Sequence, residues 1–511
     1  MKVYGLSREA AYQPEWLELD FRRKDLPLQQ LPDDLIFYPR RAKKVNISTI
    51  FRRSMVGAVI LYVLASVPAA FSQTAILGEA KEKQPGYGEL ENFTILSYTD
   101  LDGWDQAAEF RISKDGKHAY ISNYQGFSIV DVSDPARPKV VSRVKNDPSV
   151  QSQYIDVLGD LLVVNQEGVR DEKIKSWESG IRLFDIKDPS TPRELGFFKT
   201  DTSPSRGVHG FWLHEDPKQG KFAFIATTMK GYFGAILMIV DLKDPSKPTE
   251  VSRWWFPGQH TAGGEKIGEN WIDDGGLREG LPKIWVSLHD MTTYKDRAYL
   301  AYRDQGVIIL DISDIRKPTK ISQIKWSPPE EGNTHSIGIV VPKHGGRPDI
   351  ILATDEITSA KQCPFGYLHV IDVRHEPNPV QIGTFRLPLN RFCPPDRPGR
   401  RFGIHDIERM VKGNIVFSAW ENSGFWAIDI SDPYHPKAVG HFVPPVFRRV
   451  NADNGHADDV FVHDNGLVFA SSSDPGGGFW IMRHTPGVKG AVSWTEDNKN
   501  VTVNYEKRPQ N

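Results

Sequence analysis

Apolar residues in this chain gather in short unbroken runs, with few segments at helical spacing. Six of these runs, residues 127–131, 181–185, 237–241, 307–311, 368–372 and 425–429, end on an aspartate: Asp131, Asp185, Asp241, Asp311, Asp372 and Asp429. Seven residues after each aspartate comes a proline, at Pro138, Pro192, Pro248, Pro318, Pro379 and Pro436. A run of four or five apolar residues bounded by turn formers predicts a buried strand. A carboxylate just after such a strand can accept backbone N–H groups in the following turn. Proline cannot donate to a ladder, so it suits the entry to an outer strand. The six aspartates are therefore read as structural.

Each unit holds more than one strand. Around Asp311, residues 289–294 and 297–301 read as two strands before the run, and residues 320–324 as one after it. The aspartates are 54, 56, 70, 61 and 57 residues apart, a period that announces a repeat architecture. A seventh, degenerate unit follows: residues 478–483 match 424–429, with Arg483 in the aspartate's place. Seven four-stranded units predict an all-β, seven-bladed β-propeller over residues 92–495. Residues 92–98 resemble the strand that follows each proline, so this N-terminal strand is expected to close the last blade. The longest spacing comes from the polar, glycine-rich residues 259–281, expected to form a lid or side loop. Residues 496–511 read as a C-terminal tail.

Composition agrees with a turn-rich β protein: 43 Gly, 36 Pro and 39% hydrophobic residues in 511. The net charge of −2 provides no field for nucleic acid. Arg52 and Arg53 precede an uncharged stretch, residues 54–78, and Ala70 and Ser72 suit cleavage after Ser72. Residues 45–72 thus read as a signal peptide or, uncleaved, as a signal anchor, which would be the chain's one membrane contact. The remainder is expected to be exported: periplasmic, extracellular or on the cell surface. Residues 1–44 read as an unstructured extension or a start placed too early, and 73–91 as a linker. Two cysteines, Cys363 and Cys393, are expected to pair in an oxidising compartment, with two free thiols as the alternative.

Histidines recur at one place in the unit. His209, His289, His335, His405 and His456 each open a first strand. Acidic residues recur just after the second strand, at Asp304, Asp355, Glu356, Glu421 and Asp474. Antiparallel pairing brings these two places to one face. The expected pairs are His289 with Asp304, His335 with Glu356, His405 with Glu421 and His456 with Asp474. Imidazoles and carboxylates converging near an axis suit a divalent transition metal such as copper, iron, zinc or manganese. His335, His405 and His289 lead as ligands, with Glu356, His209 and His456, and the other acids stand behind them. The alternative is a structural or pH-sensitive polar rim. His214, His344 and His463 read as solvated turn residues, and His369 as packing. No G-x-S-x-G, H-E-x-x-H, C-x-x-C or phosphate-binding glycine loop occurs.

The strings Phe-Ser-Ile-Val-Asp (127–131), Leu-Met-Ile-Val-Asp (237–241) and Val-Ile-Ile-Leu-Asp (307–311) resemble LVIVD repeats. The resemblance spans about residues 93–495. It implies exported or surface β-propellers, mostly without an assigned reaction. Residues 302–304, 333–335, 354–356 and 401–405 carry marks similar to one subgroup. Two functions stay open: a binding or surface protein whose partner is a small molecule, a protein or a surface polymer, and a metal-dependent oxidoreductase or lyase.

Overall fold

The computed structural model describes residues 88–104, 106–169, 173–174, 176–201, 206–273, 283–326, 333–356, 366–387, 403–445, 456–473, 477–494 and 501–506. The expected signal segment, both cysteines and Asp474 lie outside the described residues. No helix among the described residues is long and apolar enough to cross a membrane.

The structure is all-β and built from blades. The unit around Asp311 shows the plan. Strands Asp290–Tyr294, Arg297–Ala301, Val307–Asp311 and Thr319–Ile324 form one antiparallel sheet in that order. Val307, Ile308, Ile309 and Leu310 are fully buried, as an unbroken apolar run requires when both sheet faces are covered. Similar sheets carry Ala107–Ile112 to Lys139–Lys145, Ile155–Leu158 to Arg193–Lys199, Val208–Asp216 to Thr249–Trp254, and Thr334–Val340 to Val380–Phe385. The core lies between neighbouring sheets: Phe224 and Leu237 of one pack with Met291, Leu300 and Ile308 of the next. First strands of successive sheets touch one another as far as Thr334–Val340 with Met410–Val411; Ile415–Trp420 then touches Ala457–Val462, which touches Ala107–Ile112, so the sheets close in a ring.

All six repeat aspartates make the same turn. Each accepts the backbone N–H two residues on, at 2.7–3.0 Å. Each proline directly precedes an outer strand, such as Lys139–Lys145 after Pro138 or Lys437–Phe442 after Pro436. The latch between blades uses these turns: Ser97 donates to the Pro135 carbonyl at 2.6 Å and Ser142 to the Pro189 carbonyl at 2.7 Å.

At Arg483 there is no such turn. Without an aspartate to end it, strand Phe479–Trp494 runs on and folds back against Val501–Tyr505. The missing outer strand comes from the N-terminus: Glu89–Thr99 pairs antiparallel with Phe479–Trp494, Thr94 opposite Arg483. It begins before residue 92 and also pairs with Lys437–Phe442, which joins two blades into one eight-stranded sheet. Residues 501–505, expected as tail, are thus a strand.

Of the expected lid segment, residues 259–273 are described. Gln259 is fully buried and donates to the Phe233 carbonyl at 2.6 Å, while the Glu265 carboxylate accepts N–H groups of Gly258 and His260 at 2.7 and 3.0 Å. Trp271–Ile272 pairs in parallel with Ile284–Trp285.

Candidate metal centre

The first strands bring five histidines into a row. The His209 and His289 Nε2 atoms are 2.9 Å apart. Ring centroids are 3.9 Å apart from His289 to His335, 4.4 Å from His335 to His405 and 5.3 Å from His405 to His456. A single repeat position, read around the ring, generates this row. Ligand atoms of His289, His335 and Glu356 all lie within 4.8 Å of one another, and so do those of His335, His405 and Asp406.

The carboxylates depart from the expected pairing. His335 does face Glu356, at 3.5 Å. Glu421 stands 3.5 Å from His456 of the next blade and accepts the Gly403 N–H at 2.8 Å. His405 instead meets Asp458 at 2.8 Å and Asp406 at 3.0 Å. Asp304 braces loops, accepting the N–H of Trp285 at 2.7 Å and of Asn333 at 3.0 Å. Asp355 turns into its own blade and holds His369 Nε2 at 2.7 Å beneath stacked Trp326. His214 is not a solvated turn residue: it is buried in Val208–Asp216 and bonds Thr293 Oγ1 at 2.9 Å.

Glu167, which lies at the end of a second strand, escaped the sequence reading. It holds His209 Nδ1 at 3.1 Å and Arg206 at 2.8 Å. Burial works against its charge, yet His209 and Arg206 hold its carboxyl down at about 2. Arg303 pairs with Glu356, at 2.7 Å, while stacking on Trp285 at 4.1 Å. Arg303, Asn333 and Glu421 all take positive φ (42°, 59° and 20°), strained backbone gathered at this rim.

Protonation divides the row. Burial first, then the charge of Arg303, pushes His289 well below the ordinary imidazole value. His335 is pushed the same way by burial, with His405, Arg303 and Arg409 adding. His405 is raised well above it: burial opposes, but Asp458 and Asp406 prevail. Neutral His289 and His335 offer lone pairs; His405, held charged by two carboxylates at its Nδ1, has none to offer.

Beneath the row the axis is filled by charge. Arg409 is paired with Asp290, with Asp406 at 2.9 Å and with Glu109 at 3.4 Å. Arg111 meets Asp156 at 3.3 Å and Glu109 and Asp459 at 3.4 Å. Burial, then Asp406, raises Glu109 well above the carboxylate range, and the same pair of causes takes Asp459 to about 7. These residues also went unnoticed in sequence. Their signal was there: charged residues inside otherwise apolar first strands of several units.

The LVIVD repeat model matches residues 111–146, 219–254, 290–324 and 409–443. No curated protein matches the chain in sequence. Among solved structures, the chain is similar to the periplasmic gluconolactonase PpgL of Pseudomonas aeruginosa, at 10% identity and TM-score 0.49, over 77% of this chain and 99% of that one. It is similar to Sqt1 of Saccharomyces cerevisiae at 6% identity and TM-score 0.45, over 74% and 83%. A functionally unknown protein of Desulfotomaculum acetoxidans follows at 11% identity and TM-score 0.43, over 66% and 85%. The chain carries four matches to the LVIVD repeat, the repeat of a β-propeller family.

Proposed function

We propose that this chain is an exported, seven-bladed propeller whose histidine row binds one divalent transition metal through His289, His335, Glu356 and His209. In this count the eight-stranded sheet makes two blades. Export rests on the basic pair and apolar stretch before Ser72.

One observation carries the metal. His289 Nδ1 faces the His335 carbonyl at 3.2 Å and His209 Nδ1 faces the Glu167 carboxylate. Both partners only accept, so in neutral rings both Nδ1 atoms carry the proton and both Nε2 atoms are bare. The two Nε2 atoms, 2.9 Å apart, need a shared cation between them, either a proton or a metal ion. Ligands of a tetrahedral ion with bonds of about 2.0 Å stand about 3.3 Å apart. A small outward swing therefore lets a metal ion take the proton's place, with His335 and Glu356 close by. His405 stays outside, held by its aspartates.

A filled axis favours a binding protein over an enzyme with a deep pocket. The second reading, a metal-dependent enzyme, draws on one fact: the His209 side chain is 28% exposed, so small molecules can approach. The test is metal content by mass spectrometry of the exported chain, purified without a histidine tag. About one equivalent, lost in His289→Ala and His335→Ala but kept in His405→Ala, is the expected result. A folded protein that takes up no metal on reconstitution overturns the reading.

A further inference from the structure

The ends of the histidine row are not alike. At the Glu356 end, Arg303 is buried and spends one nitrogen on both Glu356 and Asn333, at 2.7 and 3.0 Å. At the other end Arg206 is 31% exposed. One of its terminal nitrogens is on Glu167, and its Nε, like that of Arg303, is buried with no partner among the described residues, so the two arginines differ in exposure, 31% against 5%. A guanidinium with donors to spare is thus fixed beside the most exposed histidine of the described ligand set. Glu167 ties the two together, with Arg206 on one oxygen and His209 on the other.

Charge says what this edge takes. A divalent ion with three neutral imidazoles, the carboxylates Glu356 and Glu167 and the guanidiniums Arg303 and Arg206 leaves two net positive charges at the site. A planar fork beside a Lewis acid matches a carboxylate, one oxygen towards the metal and the other towards the guanidinium. We infer that the ligand of this site is a small carboxylate anion, taken up at the His209 edge and recognised by Arg206. The inference rests on the metal reading for one of the two contacts and on Arg206 for the other.

Both contacts can be read separately. The protein is stripped with a chelator, reloaded with cobalt(II), and titrated with succinate, with succinamide as the neutral control. Succinate is expected to change the visible cobalt spectrum and succinamide to leave it unaltered. Arg206→Gln is expected to keep its cobalt and its far-ultraviolet circular dichroism while binding succinate about 10-fold more weakly or worse. Arg206→Lys, which keeps the charge but not the fork, should fall between. Unchanged succinate affinity in cobalt-loaded Arg206→Gln overturns the inference, as does a wild-type spectrum indifferent to succinate. If no metal binds, the metal reading fails by itself. Calorimetry of succinate against the metal-free chain then decides the anion. Heat that vanishes in Arg206→Gln sustains Arg206 as its receptor, and no heat in the wild type overturns it.

Discussion

The two rims of the blades are built on opposite terms. At the rim of the aspartate turns, six units repeat one device: carboxylate to N–H two residues on, then proline, then outer strand. All six aspartates are half-buried in this turn. At the histidine rim no two units are alike. His209 has a glutamate from the preceding blade, His335 one from its own and His405 two aspartates, while Asp355 turns away from the row to His369 in the blade interior. Uniformity marks what each blade needs in order to fold. Divergence from a common position marks what the ring as a whole uses.

The comparison can be broken most forcefully at the axis. Arg409→Met leaves Asp290, Asp406 and Glu109 facing one another without their shared cation. Removing one partner of a buried ion network costs about 3–5 kcal/mol. A drop of that size in urea-unfolding free energy is expected, and a drop under 1 kcal/mol would show that the axial charges are not coupled.

Next comes Glu408, buried in residues 404–411 of the same blade, its carboxyl raised by burial to about 8. The folded state keeps this proton between pH 4.5 and 8 while the unfolded chain releases it. Its contribution is therefore full below pH 4.5 and is lost as pH rises towards 8. Glu408→Gln holds no such proton. It should gain stability relative to wild type between pH 5 and 9, by roughly 2–4 kcal/mol. A difference that stays flat with pH counts against a proton held there.

Substitutions at the aspartate turns should be smaller and, more tellingly, equal. Asp131→Ala and Asp241→Ala each remove one side chain to backbone N–H bond, worth about 1 kcal/mol. Thermal unfolding of the two should shift alike; a several-fold difference would deny that the rim is uniform. Smallest of all, Arg137→Ala at the exposed Asp134 pair should change stability by less than about 0.5 kcal/mol.

Legibility followed the same division. The turn at Asp311 and the strands around it lie where the sequence put them, because alternation, burial and turn chemistry act within a dozen residues. The seventh unit shows the converse. Arg483 signalled a broken motif, but only the structure shows strand Phe479–Trp494 running past it to meet Val501–Tyr505. The histidine row was also legible, since one repeated position on a ring must gather at the axis. Its partners were not. Glu167 and Asp458 reach their histidines across blade boundaries, and a repeat's sequence does not say how far neighbouring blades are rotated. The pairing of Glu421 with His456 rather than His405 is the plainest case. His214 was misread because a histidine near a turn is solvated only if the adjacent blade leaves it so, and Thr293 covers it.

By itself the sequence determined the strand order within each unit, the turn device and the face on which histidines and acids collect, because these depend on local bonding and on period. Tertiary structure alone decided which imidazoles stay neutral, which carboxylates keep their protons and which arginine faces solvent. Those properties depend on burial and on charges from other blades, and neither exists until the ring has closed.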